Sequence, residues 1–522
     1  MRGPFDSCVG AASRGAGLVF ALLSSSLVGC SLMGLDETSA TPCLVGPTES
    51  TDYRDAHATC ARELGVEGLG TCEAWVCGLR VDDEVFCTID APDGDGDGVG
   101  DAMCIPEGDE RPRDCDDADP STAGGRAERC DGRDNDCDGV VDEGLLQRGT
   151  PLRVDETDGT AGQVAFAGAS ALIRRAVGGE QALVLWSRGS APRRVGDFTL
   201  YDPIAAADDP GLALTPQGSA FVGVFARNLA GCPRTLVPAR LDGAVASGAA
   251  LGLGLPDESG ADCSSDRDEP QVTPTAAALG RRSVFAWIAS TSASEGGPLR
   301  IVGANDADGL TLSGPAQALG DAAGPVAMVA LAEENLVLIA IPRASAVELR
   351  SITLAADGTP SVGAVLATVP GEAAELALAS APSVDGQRAL GLAFRIGEGR
   401  GARVRVARFV LASGAVTLGE STDVGDAEGQ STPSLVWSEA PRGWIVAWTE
   451  RGAEVRARLL GASGGVAGEA LSVLAASDLG GAADLRFGVS LAPTEAGFVA
   501  ITHSSAGATA GLHEIALGCA AE

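Results

Sequence analysis

The residues best placed to do chemistry lie between positions 93 and 143, and all of them offer oxygen. Asp93, Asp95 and Asp97 occupy the first, third and fifth places of a loop, with Gly98 sixth. Carboxylates at these places converge on one point when the sixth residue permits a sharp turn. The carbonyl of Val99 and the side chain of Asp101, seventh and ninth, extend the same curve. Asp134, Asp136, Asp138, Gly139, Val140 and Asp142 repeat that spacing, and Glu143 follows. Between the two lies Asp114-Cys115-Asp116-Asp117-Ala118-Asp119, which lacks the glycine and is expected to donate ligands to a neighbouring loop. Converging carboxylates repel one another unless a cation sits among them. Hard oxygen donors at this spacing point to calcium. The twelfth place, usually a bidentate Glu, holds Cys104 in one loop and Leu145 in the other.

Other chemistries are poorly supplied. The 522 residues carry 71 acids against 37 bases, a formal charge of -34, and every base is Arg. So acidic a chain does not suit nucleic-acid binding, which rests on basic patches. Without lysine there is no Schiff base, no phosphate-loop lysine and no kinase lysine. Three histidines, His57, His503 and His513, are too few and too scattered for a His-based metal site or triad. Gly461-Ala462-Ser463-Gly464-Gly465 has the G-x-S-x-G pattern, but it falls in a turn after an outer strand and reads as chance in a Gly-rich chain. Copper would want His, Met or a free thiolate, and residues 114–144 contain no His.

The stretch from Asp114 to Gly144 resembles the metal-binding repeat of bacterial surface and secreted proteins. DCDDADP (114–120) matches its start. Glu128, Cys130, DG (131–132) and DNDCDG (134–139) match its body, and VDEG (141–144) its end. The departures are Gly124 where Pro is usual and Arg126 where Ala is usual. The resemblance implies metal binding without naming the metal. A second resemblance concerns the N-terminus. Arg2 and Arg14 precede a short apolar run at 18–23, which ends in Leu27-Val28-Gly29-Cys30. The run is too short to span a bilayer. The tetrapeptide resembles the bacterial lipobox, which implies removal of residues 1–29 and acylation of Cys30. Ser31 in place of Asp implies sorting to the outer membrane. Several acyl chains, at about 0.8 kcal/mol per buried methylene, hold a protein stably on a membrane.

The elements that must position these groups follow from composition. Residues 30–42 read as a tether and 43–90 as a Cys-rich module. Residues 91–145 form an Asp-rich region with eighteen acids and five Arg from Asp93 to Glu143. Apolar residues there are too few for a hydrophobic core, so the region is either disordered or held by something else, for which disulfides and cations are the candidates. Nine of the fourteen Cys lie between Cys43 and Cys137. Proximity suggests the pairs Cys104–Cys115, Cys130–Cys137 and Cys232–Cys263, and parity suggests that Cys519 bridges back to the N-terminal region.

From about residue 150 short β-prone runs alternate with turns. Trp287, Ile339, Phe394, Trp448 and Ile501 mark such runs at intervals of 52, 55, 54 and 53. Earlier steps, Trp186 to Phe225 and Phe225 to Trp287, are 39 and 62. A near-constant period with several strands per unit is the mark of propeller blades, although paired β-sandwiches have a similar texture. The expectation is a mainly β chain: a small disulfide-rich, Asp-rich module, then a β-propeller of about seven blades over 150–522. Function is expected to be non-enzymatic. A lipid-anchored protein would bind calcium in its stalk and recognise a protein or glycan with its propeller face. The alternatives are a propeller-based hydrolase or lyase and a purely structural envelope lipoprotein.

Overall fold

The computed structural model describes residues 74–79, 85–90, 93–102, 105, 111–129, 133–139, 142 and 144–519. The last span has breaks at 155–160, 178–179, 196–210, 228–234, 242–270, 291–295, 308, 426–428, 440–441, 462–464, 482, 495–496 and 506–509. Cys30, the proposed leader and tether, most of the Cys-rich module, Cys104, Cys130, Cys232, Cys263, Val140 and Glu143 lie outside the described residues. The chain divides into two units, Met1–Asp142 and Glu143–Glu522. No described helix is long and apolar enough to cross a membrane.

The described residues of the first unit form two short sheets. An antiparallel hairpin pairs Ala74–Leu79 with Val85–Asp90, setting Cys77 opposite Cys87. A short parallel bridge joins Gly100–Asp101 to Arg113–Asp114. Ile105 and Ala123 are its buried apolar side chains among the described residues, beside buried Asp114, Thr122, Asn135 and Asp142. Among the described residues polar side chains outnumber apolar ones in this interior.

The second unit is a propeller of seven antiparallel blades. Their innermost strands are Ala161–Ala167, Leu212–Gln217, Gln271–Leu279, Ala327–Leu331, Ala374–Val384, Gln430–Glu439 and Val489–Thr494. Each packs on the next, and the seventh meets the first. Second strands explain the continuous apolar runs. In blade 4, Val337, Ile339 and Ile341 of Leu336–Pro342 pack toward blade 3, while Leu338 and Ala340 pack toward blade 5. A strand has a side-chain period of two, so a strand covered on both faces must be apolar throughout. The outer edge of blade 7 comes from the start of the same unit: Leu146–Arg148 and Leu152–Arg153 pair with Gly511–Cys519. The ring is thus closed by chain ends far apart in sequence.

The marker positions need one correction. Phe225, Trp287, Ile339, Phe394, Trp448 and Ile501 all stand on second strands. Trp186 stands on the third strand of blade 1, Glu180–Ser187. The second strand there, Ser170–Val177, is interrupted by Arg174 and Arg175, which hid it from the apolar pattern. The step of 39 therefore compared unlike strands.

Arginine forks fasten blades to one another. Arg388, buried in blade 5, donates to Glu334 at 2.6 Å and to Glu333 of the blade 4 turn. It also holds the carbonyl of Ala381 at 2.7 Å. Arg282 of blade 3 reaches Asn335 of blade 4 at 2.6 Å. Arg458 of blade 6 reaches the Val424 carbonyl at 2.9 Å. Arg148 of the closing strand of blade 7 donates to Asp478 at 2.7 Å and to the Val473 carbonyl at 2.9 Å, in the turn after blade 6 and on its outer strand. A planar guanidinium with five donors suits several acceptors at once, which an ammonium does not.

Candidate metal centre

The two Asp loops close in the same way, through three bonds that correspond. Asp93 Oδ1 accepts the amide of Asp97 at 3.1 Å, and Asp134 Oδ1 that of Asp138 at 3.2 Å. Asp93 Oδ2 accepts the amide of Gly98 at 3.1 Å, and Asp134 Oδ2 that of Gly139 at 2.8 Å. Asp95 and Asp136, at the third places, accept the fifth-place amide at 3.0 and 3.1 Å. Gly98 and Gly139 sit at φ 96° and 94°, a backbone region open mainly to glycine. The recurring sequence pattern is therefore a recurring structure. In each loop the first carboxylate gathers the backbone around itself and the others follow.

Candidate ligand oxygens of Asp93, Asp95 and Asp97 lie within 4.8 Å of one another. A second group of the same kind joins Asp134 and Asp136 to Glu128. Calcium–oxygen bonds of about 2.3–2.6 Å place opposite ligands up to about 5 Å apart, so both groups fit that ion. Two buried oxygens support the fit. Asp95 Oδ2 is buried with no hydrogen-bond partner among the described residues, and so is Asp114 Oδ2. A buried anionic oxygen without a donor is costly unless a cation meets it.

The remaining nominated residues divide by role. Asp114 is fully buried close to Asp95, Asp97 and Asp117. Burial, then those neighbouring charges, push its carboxyl above the usual range. Asp117 reaches the first loop, but its Oδ1 accepts the amide of Gly94 at 2.7 Å. A Cβ on Gly94 would stand 2.5 Å from the other oxygen of Asp117, so this approach demands glycine. Asp116 and Asp119 shape a turn: the Asp119 amide donates to the Asp116 carbonyl, and Asp119 Oδ1 accepts from Ser121. Asp142 is buried, and its amide donates to Glu128. Asp101 sits half-buried at the parallel bridge, and the Val99 amide donates to Asp97 Oδ1 at 2.7 Å. Asp138 contributes its amide to the loop closure, with an exposed side chain.

Glu128 joins Asp134 and Asp136 from outside the loop, where spacing within the loop does not reach it. Its Oε1 accepts the Asp136 amide at 2.9 Å and its Oε2 the Asp142 amide at 2.7 Å. Burial raises its pKa despite those donors, and burial likewise raises Asp136, with Asp138 and Asp134 adding to it. Its place in the repeat was the available signal. Asp97 is the opposite case: the Val99 amide, then Arg126, hold its pKa below the usual carboxylate value.

The disulfide pattern corrects the proximity reading. Cys115 is bonded to Cys137, with Cα atoms 5.6 Å apart, so neither Cys104–Cys115 nor Cys130–Cys137 forms. The chain reverses between them. The Ala123 amide donates to the Asn135 carbonyl at 2.9 Å, and Asn135 Nδ2 donates to the Ser121 carbonyl at 3.2 Å. Both departures from the repeat find a use. The Gly124 amide donates to the Arg113 carbonyl at 2.7 Å, a bond proline cannot make. A Cβ there would stand 2.9 Å from the Arg113 nitrogen. Arg126 donates to Asp97 Oδ2 at 2.7 Å, tying the repeat to the loop before it.

Comparison with known proteins fits this geometry. Residues 114–143 match the family described as "Cu-binding_MopE: Putative metal-binding motif". No curated protein matches the chain. Among solved structures, the WD40 domain of Toxoplasma gondii coronin is 10% identical, with a TM-score of 0.43, covering 73% of this chain and 89% of that one. The fucose-specific lectin of Aleuria aurantia is 9% identical, with a TM-score of 0.35, covering 60% and 95%. An α-L-arabinofuranosidase of Fusarium graminearum is 9% identical, with a TM-score of 0.36, covering 61% and 96%. The chain thus carries a metal-binding motif of that family in its first unit and a seven-bladed β-propeller in its second.

Proposed function

We propose that the chain is a lipid-anchored extracytoplasmic protein that binds calcium in its Asp-rich unit and uses its propeller to recognise a partner, without turning it over. The observation that carries the metal half is the shared closure of the two loops around Asp93 and Asp134. In this reading Asp93, Asp95 and Asp97 hold one ion, with Val99 and Asp101 completing its shell. Asp134 and Asp136 with Glu128 hold another, completed by Asp138, Val140, Asp142 or Glu143. The ion neutralises the gathered carboxylates and rigidifies a segment that has almost no apolar core. The matched family's name refers to copper. Carboxylate oxygens as the gathered donors, and the thiols of Cys115 and Cys137 consumed in a disulfide, favour calcium here. The anchor at Cys30 and the outer-membrane address rest on the lipobox resemblance. An intact-mass measurement of the mature protein tests them: diacylglycerol on Cys30 supports the anchor, and a free N-terminus elsewhere refutes it. Parallel titrations of the full chain with calcium and copper(II) test the ion. Saturable calcium binding supports the reading, and copper binding with no response to calcium refutes it.

A further inference from the structure

We infer that the cleft at the seam of blades 5 and 6 is a binding site for an acidic sugar, a uronate unit of an oligosaccharide. This inference rests on the reading of the propeller as a recognition module and gives that module a ligand class. The cleft has a volume of ≈ 650 Å³ and opens where the innermost strands begin and the second strands end. Arg395, Arg400 and Arg451 line it with Glu375 and Glu398. Among the lining side chains three guanidinium groups stand against two carboxylates, in a chain of charge -34.

The charges are not simply paired off. Arg395 Nε lies 3.1 Å from Glu375 Oε1, while Glu375 Oε2 accepts the Thr432 amide at 2.6 Å. Glu375 is thereby fixed across the seam. The side chains of Arg400 and Arg451 make no hydrogen bond or ion pair among the described residues. Gln430 also lines the cleft and is fully buried. Its Oε1 accepts the Val404 amide at 2.7 Å, and its Nε2 has no partner among the described residues. Around the cleft the backbone is held in the left-handed region at residues other than glycine: Glu375 at φ 50°, Thr432 at 46° and Arg451 at 52°. Thr273 of blade 3 has the same conformation at the equivalent bulge, so this backbone is a recurring feature of the innermost strands, and here it sets the rim of the cleft.

The spare groups define the ligand. The two free guanidinium forks are donors in search of anionic acceptors, and a fork matches a planar carboxylate through two parallel bonds. The excess of one positive charge suits a monoanion better than a phosphate dianion. Glu398 supplies the acceptors that sugar hydroxyl groups need.

The test is calorimetric titration of the full chain, in chelator-treated buffer, with tetragalacturonate, with neutral galactotetraose and with inorganic phosphate. The wild type is compared with Arg400→Ala and Arg451→Ala, both exposed positions. The expected result is saturable tetragalacturonate binding that weakens about tenfold or more in each variant and weakens with salt. Galactotetraose should not bind. Absence of tetragalacturonate binding, equal binding of galactotetraose, undiminished binding in both variants, or preference for phosphate would each overturn the assignment. Binding of either sugar that survives both substitutions would overturn this site while leaving recognition by the propeller standing.

Discussion

The two units solve the same problem with different materials. The propeller buries apolar strands between blades, and its largest enclosed side chains include Trp444, Trp448, Phe225, Phe285, Phe394 and Phe409. The Asp-rich unit, among its described residues, encloses Ile105 and Ala123, and otherwise folds backbone amides onto carboxylates. One unit is held by water's exclusion, the other by charge, a disulfide and a cation in the proposed reading. The difference teaches that a segment too polar to make a core can still have defined geometry, provided its anions are organised. It also means that the two units should answer the same perturbation differently.

The largest effect is expected in the propeller core. Trp448→Ala should cost the propeller about 3–5 kcal/mol. Denaturant unfolding read by hydrogen exchange should show that loss in blades 5 and 6, with the Asp-rich unit unchanged. The mirror experiment removes Cys115–Cys137 by substituting both with Ser. It should cost the first unit about 2–4 kcal/mol and leave the propeller's midpoint in place. An intermediate effect is expected at Arg388→Ala, about 2 kcal/mol, discounted because Glu333 is largely in solvent. Arg388→Lys should not restore it, since one ammonium cannot serve Glu333, Glu334 and Ala381 together.

Acid should separate the units by sign. In the propeller, Arg148 holds Asp478 below its ordinary pKa, and Arg486 does so for Asp484. Burial pushes Glu348 up, but hydrogen bonds from Arg343 and Arg350 carry it down. These groups stabilise the fold above the ordinary carboxylate values of 3.8 and 4.5, and that contribution is lost as pH falls through their lowered values. In the metal-free first unit, burial raises Asp114, Glu128 and Asp136, so their charge opposes folding at neutral pH. That cost disappears as pH falls from their raised values toward 3.8 and 4.5. Asp97 runs against this trend. Exchange protection, corrected for intrinsic rates, should therefore fall in the propeller and rise in the metal-free first unit on acidification. The smallest effect concerns Arg126, which occupies Asp97 Oδ2. Arg126→Ala should tighten calcium binding about threefold by freeing that oxygen and removing a competing charge.

Much of this was legible in the sequence, for physical reasons that also mark where reading failed. The interval of 52 to 55 between Trp287 and Ile501 survives because second strands are buried on both faces and so must stay apolar. Blade 1 broke the pattern because Arg174 is buried in its second strand, beside Gln163 at 3.4 Å. The Asp loops were readable because their geometry is local: each closing bond spans at most five residues. The Cys115–Cys137 bond was not readable, because it depends on a reversal set by Asn135 and Ser121 rather than on nearness along the chain. Glu128 escaped for the same reason, being brought to Asp134 and Asp136 by that fold.

The central claim is that the two Asp loops are equivalent cation sites. The direct measurement is calcium titration of the disulfide-intact full chain, wild type against Asp93→Asn, Asp134→Asn and the double variant. The account predicts saturable binding, loss of one ion in each single variant and loss of both in the double, with increased exchange protection confined to the first unit. Absence of heat and of any change in protection up to millimolar calcium, or binding untouched by the double substitution, would contradict it.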